Sequence, residues 1–219
     1  MKKIYVPSRG VEDWKRLLAN PCKQWRSRYS AKAMAHSWEA ADGLPPEVAA
    51  IFEGTCELLL AVPEHKVRLP GGARESQNDI FALLRVGERT CAATIEGKVN
   101  EAFGPAIGDW LRDASEGKQE RLRFMSDLLG IALPADSLRY QLLHRAASAL
   151  IEAERFKTDF AAMIVHSFSP EKRWFDDFAR FVSLFGPSAE PGRGYAVSLP
   201  SGRTLILGWA VGEARFLEA

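Results

Sequence analysis

The sequence predicts an α/β protein with a mixed central sheet flanked by helices, and three features carry that expectation. Residues 56–62, 79–86 and 90–99 are successive β-like runs rich in apolar and β-branched residues. Two helical stretches follow, from Gly104-Pro105 to residue 129 and across 136–156, with Pro134 between them. Residues 160–165, Phe-Ala-Ala-Met-Ile-Val, then form a short wholly apolar run, the mark of a strand buried on both faces. A strand that returns after long helices is expected beside the earlier sheet and parallel to it.

The remaining elements follow in chain order. Turn residues lead into Trp14, Leu17 and Leu18 at helical spacing, so residues 8–19 are expected as an extra amino-terminal helix closed by Asn20-Pro21. Ser30 can cap a second helix that carries Ala33, Met34, Trp38 and Ala41 on one side and ends at Asp42-Gly43. Pro45-Pro46 opens a further turn through Phe52. Gly71-Gly72 separates the first two β-like runs and Gly87-Glu88 links the second to the third, which predicts two consecutive hairpins. Residues 171–185 read as an amphipathic aromatic helix, and 195–199 with 204–211 as a closing hairpin around Pro200-Ser201-Gly202.

With 219 residues, 47% of them hydrophobic and 26% charged, the chain can bury one sizeable core, so a single domain over 1–219 is expected. Neither a run of about 20 apolar residues nor the apolar segment of a signal peptide is present, which points to a cytoplasmic protein without a membrane partner. Cys22, Cys56 and Cys91 are odd in number and widely spaced, and the four histidines show no zinc spacing, so neither a disulfide nor a zinc site is expected. His166, ending an apolar run, reads as a hydrogen-bonded structural histidine. Gly71-Gly72 and Gly192-Arg193-Gly194 lack the strand-to-helix context of a phosphate loop.

The formal net charge of +1 hides an asymmetry. Residues 1–32 hold nine Lys or Arg against Glu12 and Asp13, interleaved with Tyr5, Trp14, Trp25 and Tyr29. Such a mixture suits a nucleic-acid backbone, although Trp14 and Trp25 read better as core anchors. Trp174, Phe175, Phe178, Phe181 and Phe185 recur at helical spacing; they suit a core stripe or the interface of a homodimer.

The third β-like run carries the chemistry. Its period of two puts Cys91, Ala93, Ile95 and Val99 on one face and Thr94, Glu96 and Lys98 on the other. Counting outward from the link at Gly87, Asp79 on the second run falls opposite Glu96. Two carboxylates with an adjacent ammonium are what metal-assisted phosphodiester hydrolysis needs: hard oxygen ligands for Mg²⁺ or Mn²⁺, and a cation to orient water or offset charge at phosphorus.

Asp79 followed by Glu96-Gly97-Lys98, on adjacent strands between helices, resembles the PD-(D/E)xK nuclease superfamily, to which many restriction and repair nucleases belong. The resemblance implies a restriction-endonuclease-like α-β-β-β-α-β core over about 30–165, with metal binding by Asp79 and Glu96 and assistance to the nucleophilic water by Lys98. The residue before Asp79 is Asn78 where the motif has Pro. The resemblance further implies an acid from the first core helix, for which Glu39 is the candidate and Glu57 on the first strand the second choice. It also implies a glutamine on the helix after the catalytic strands, for which Gln141 beside Tyr140 is the candidate. Gln141, Arg145, Ser148 and Glu152 fall along one face of that helix and can approach a phosphate or lie against the sheet edge. The chain is also similar to a group of uncharacterised bacterial proteins sharing Pro63-Glu64-His65-Lys66, Gln77-Asn78-Asp79, Glu96-Gly97-Lys98-Val99 and Gln141-Leu142-Leu143-His144-Arg145, a likeness that implies no activity. Two functions follow from the residues: a metal-dependent nuclease, or a binding or regulatory protein on the same fold.

Overall fold

The computed structural model describes residues 10–132 and 135–218. Lys2, Lys3, Tyr5, Arg9 and Pro134 lie outside them. The centre is a six-stranded mixed sheet of β1 (Cys56–Val67), β2 (Ser76–Val86), β3 (Arg89–Lys98), β4 (Phe160–Ser167), β5 (Gly194–Ser198) and β6 (Thr204–Val211), in the order β1-β2-β3-β4-β6-β5. β1, β2 and β3 form an antiparallel meander. β4 pairs parallel to both β3 and β6, and β5 closes the far edge antiparallel to β6. The expected hairpins and the parallel return strand are therefore present. β4 is buried along its whole length, His166 and Ser167 at its end included.

Helices cover both faces. α1 (Pro21–Gln24), α2 (Ser30–Ala40) and α3 (Pro46–Ala49) precede the sheet; α4 (Ile107–Leu111), α5 (Glu116–Leu129) and α6 (Tyr140–Phe156) connect β3 to β4; α7 (Phe175–Ser183) leads to β5. On one face Met34 and Trp38 of α2 pack with Ile80, Ala93 and Ile95. On the other, Leu142, Leu143, Ala146 and Leu150 of α6 pack with Phe81, Met163 and Trp209. The aromatic stripe of α7 turns inward: Phe175 and Phe178 stand 5.1 and 5.4 Å from the buried ring of Trp209. That packing accounts for the stripe that suggested a homodimer. Trp14 is a core anchor, buried with its indole N–H donated to Glu39. No helix among the described residues is long and apolar enough to cross a membrane.

Several boundaries differ from expectation. The first helix is a 3-10 segment, Val11–Leu17, followed by the short α1, because Pro21 starts a new turn at its first position. The long helical stretch to residue 129 is two helices, since Ser115 caps α5 by accepting the N–H of Lys118 at 3.3 Å. α6 begins at Tyr140 rather than 136. Ser30 is the first residue of α2 rather than its cap. The carboxylate of Glu101, after β3, caps the helix instead, taking the Ser30 N–H and hydroxyl at 2.9 Å each. The largest difference is β1, which runs past Pro63 to Val67.

Candidate active site

The site lies where the meander ends under α6. Cross-strand pairing runs to Ile80 with Ile95 between β2 and β3, so the next pair outward is Asp79 with Glu96. Between β1 and β2, Pro63 pairs with Ile80 and His65 with Asn78, which sets Glu64 opposite Asp79. Directly opposed residues of antiparallel strands share a face. Glu64, Asp79 and Glu96 thus form a row across three strands at the wall of a cavity of about 410 Å³ that Lys98, Gln141 and Arg145 also line, and Glu96 is met there by the two α6 residues. Lys23, Gln24 and Tyr29 line it too, so part of the basic amino-terminal segment reaches the cavity.

Each member of the row is held differently. Glu96 is 3% exposed and both its oxygens are engaged. Lys98 Nζ donates to Oε1 at 2.6 Å, Gln141 Nε2 to the same oxygen at 2.7 Å, and Arg145 Nε to Oε2 at 2.5 Å. Burial opposes the charge on Glu96, but the Arg145 guanidinium and Lys98 ammonium outweigh it and hold the carboxyl below the usual range. Asp79 accepts the Gly97 N–H at 2.7 Å through Oδ2. Burial, then the charges of Glu96 and Glu64, push its carboxyl well above the usual range. Glu64 accepts from Gln77 Nε2 at 2.5 Å, and burial with the nearby Glu96 pushes it up to about 7. Its backbone has φ 54, a left-handed conformation in the middle of a strand, costing about 1–3 kcal/mol of the kind of strain that collects at functional sites.

The interval between the acid and the lysine is filled by Gly97 for a packing reason. A Cβ there would lie 2.2 Å from Met34 Sδ and 3.2 Å from Ser30 Cβ, so any side chain at 97 would have to displace Met34 where α2 closes over this end of β3. Beneath the row, Arg145 also donates Nη1 to Ser76 Oγ at 3.0 Å, and Ser76 stands 2.8 Å from His144 Nδ1. Burial, followed by the charges of Arg145 and Arg121, holds the His144 imidazole well below its usual range and neutral.

Asp79, Glu96, Lys98 and Gln141 are brought together. Glu39 is not: it lies nine residues beyond Ser30, about 14 Å along α2 from the cavity, with its carboxylate taking the Trp14 N–H at 2.8 Å. Glu57 is also remote, exposed and opposite Arg85 at the other end of β1. The third acid is Glu64, and the second cation Arg145. Their signals were present: Glu64 falls opposite Asp79 once β1 is carried past Pro63, and Arg145 shares a helix face with Gln141. Ser148 and Glu152, on the same face, lie against the sheet, Ser148 Oγ donating to Ser76 at 2.9 Å and Glu152 standing 3.4 Å from His65.

A family profile described as a domain of unknown function (DUF6946) matches residues 7–214. The chain belongs to that family. No curated protein and no solved structure matches it. The description of DUF6946 carries no activity.

Among the described residues no group of three or more His, Cys, Asp or Glu side chains is arranged to hold a metal ion as it stands. The donor chemistry nevertheless suits a hard cation. Of the cations that line the cavity, Lys98 and Arg145 are both bonded to Glu96. The uncompensated charge falls on Asp79 and Glu64, whose raised carboxyls mark a place that a proton, or an oxygen-seeking cation, would stabilise.

Proposed function

We propose that the chain is a Mg²⁺- or Mn²⁺-dependent phosphodiesterase acting on DNA or RNA, built on a PD-(D/E)xK, restriction-endonuclease-like core. The observation that carries the reading is the row Glu64, Asp79 and Glu96 with Lys98 beside it in one cavity. The element order supports it: α2, then the β1-β2-β3 meander, then helices and β4 parallel to β3, follow the α-β-β-β-α-β order that the motif implies.

In this reading Asp79 and Glu96 are the metal acids, Glu64 is the additional acid in place of Glu39, and Lys98 serves the attacking water. When bound, the metal supplies a polarised phosphoryl oxygen and a more acidic water. Gln141 and Arg145 hold the Glu96 carboxylate in one orientation.

A second reading is a nucleic-acid-binding or regulatory protein without catalysis. It is favoured by the full engagement of Glu96, whose release to a metal requires Lys98 or Arg145 to move. Labelled single- and double-stranded DNA and RNA, incubated with wild type and Lys98→Ala with Mg²⁺ or Mn²⁺ and then with chelator, separate the two. Cleavage lost with both the lysine and the metal is the expected result. No cleavage by wild type under any condition, with no Mn²⁺ binding by calorimetry, leaves the binding protein.

A further inference from the structure

A second cavity, of about 430 Å³, adjoins the first, and Gln77, Gln141 and Arg145 line both. Its character is opposite. Lys66, Arg74, Arg121 and Arg145 face it against one acid, Glu75, which is itself 3.4 Å from Arg68. Arg145 is already bound to Glu96, so the other three cations decide what this cavity can hold.

Arg121 is the informative one. It is 7% exposed, and its guanidinium donates to three backbone carbonyls, Pro70 and Gly72 at 2.8 and 3.0 Å and Leu69 at 3.2 Å. Carbonyls satisfy three of its five N–H groups without neutralising its charge, whereas buried charges are ordinarily paired. The loop it clasps is pressed onto α5, because a Cβ on Gly71, at φ 77, would lie 2.0 Å from the Gly117 carbonyl oxygen. The cation is therefore fixed in a rigid frame. Lys66 and Arg74 are exposed, and among the described residues neither is held in an ion pair. Tyr140 stacks on Trp110 at 4.1 Å with the rings 14° from parallel, and the pair forms part of the cavity wall.

We propose that this second cavity is an anion subsite for a phosphate group of the nucleic-acid chain, held by Arg121, Arg74 and Lys66 next to the carboxylate row. The identity of the ligand rests on the phosphodiesterase reading; the capture of phosphate does not. The two cavities then divide the labour: the acidic one receives a metal and the bond to be cut, and the basic one anchors the backbone a nucleotide or more away, fixing the register of the strand.

The test measures binding without catalysis, in chelator. Wild type and Lys66→Ala/Arg74→Ala are titrated with inorganic phosphate and with short single-stranded oligonucleotides bearing a 5′-phosphate, a 3′-phosphate or neither. The substituted side chains are exposed, so folding is preserved, and circular dichroism checks it. The double variant is expected to lose about tenfold or more in affinity, and its log–log salt slope to flatten by about 0.7, the share of one phosphate contact to a single strand. Preference for an end phosphate identifies a terminal monoester as the ligand; equal binding of all three oligonucleotides, lost in the double variant, identifies an internal phosphodiester. Inorganic phosphate that fails to bind, together with oligonucleotide affinity and salt slope unchanged in the double variant, overturns the subsite. A lack of cleavage alongside normal phosphate binding overturns only the catalytic reading.

Discussion

Glu64→Gln tests whether the carboxylate row carries unneutralised charge. In the folded protein the Glu64 carboxyl titrates at about 7 against an ordinary 4.5, so between those values the fold binds a proton that the unfolded chain has released. Stability contributed by the protonated form is complete below about 4.5 and falls as the pH rises toward 7, above which the fold bears the full cost of the charge. The gap between 4.5 and about 7 corresponds to about 3 kcal/mol, shared with Asp79, since the two carboxylates titrate as a unit. Gln keeps an acceptor for the Gln77 amide, which donates to Glu64 at 2.5 Å, and cannot ionise. Urea unfolding followed from pH 4 to pH 8 should therefore find the variant equal to wild type at the acid end and more stable, by up to about 3 kcal/mol, at the alkaline end. Mg²⁺ should stabilise wild type at pH 8 more than it stabilises the variant. Stability curves for the two proteins that run parallel across the whole range would refute the reasoning, because Glu64 would then be an ordinary solvated carboxylate.

Other perturbations give independent readings. Arg145→Met strands the buried Glu96 with Lys98 as its single cation and should cost about 3–5 kcal/mol in urea denaturation, the usual result of breaking a buried pair. Gly97→Ala drives a methyl onto Met34 Sδ and should cost about 1–3 kcal/mol; combined with Met34→Ala it should lose less than the sum, measured as a double-mutant cycle. A thiol reagent should modify exposed Cys22 quickly and leave Cys91 untouched until the protein unfolds, because burial pushes the Cys91 thiol far up and closes it to solvent.

The meander was legible because its constraints are local. The Gly87 link fixes the start of the pairing, and a period of two carries the register outward, so Asp79 opposite Glu96 follows by counting. Pro63 hid the rest. The apolar run stops at Val62, just before it, yet β1 is an edge strand, where a missing donor costs no ladder bond, and the strand continues to place Glu64 in the row. Glu39 failed for a different reason: periodicity identifies the face of α2 but not which turn of it stands over the sheet, a matter settled by the contact of Met34 with Gly97 and the capping of Ser30 by Glu101. The clasp of Arg121 on residues 69–72 joins segments about fifty positions apart through backbone oxygens, and no side-chain pattern encodes it.

The clamp on Glu96 also sets an order of events during folding. All three acids and Lys98 belong to one local meander, whose hairpins close quickly, while Gln141 and Arg145 arrive on α6 from 45 and 49 residues further along the chain. The sheet therefore gathers like charges before the guanidinium that quiets them is in place. Docking of α6 is more than the burial of an apolar face: it is the step at which the edge of the young sheet stops repelling itself.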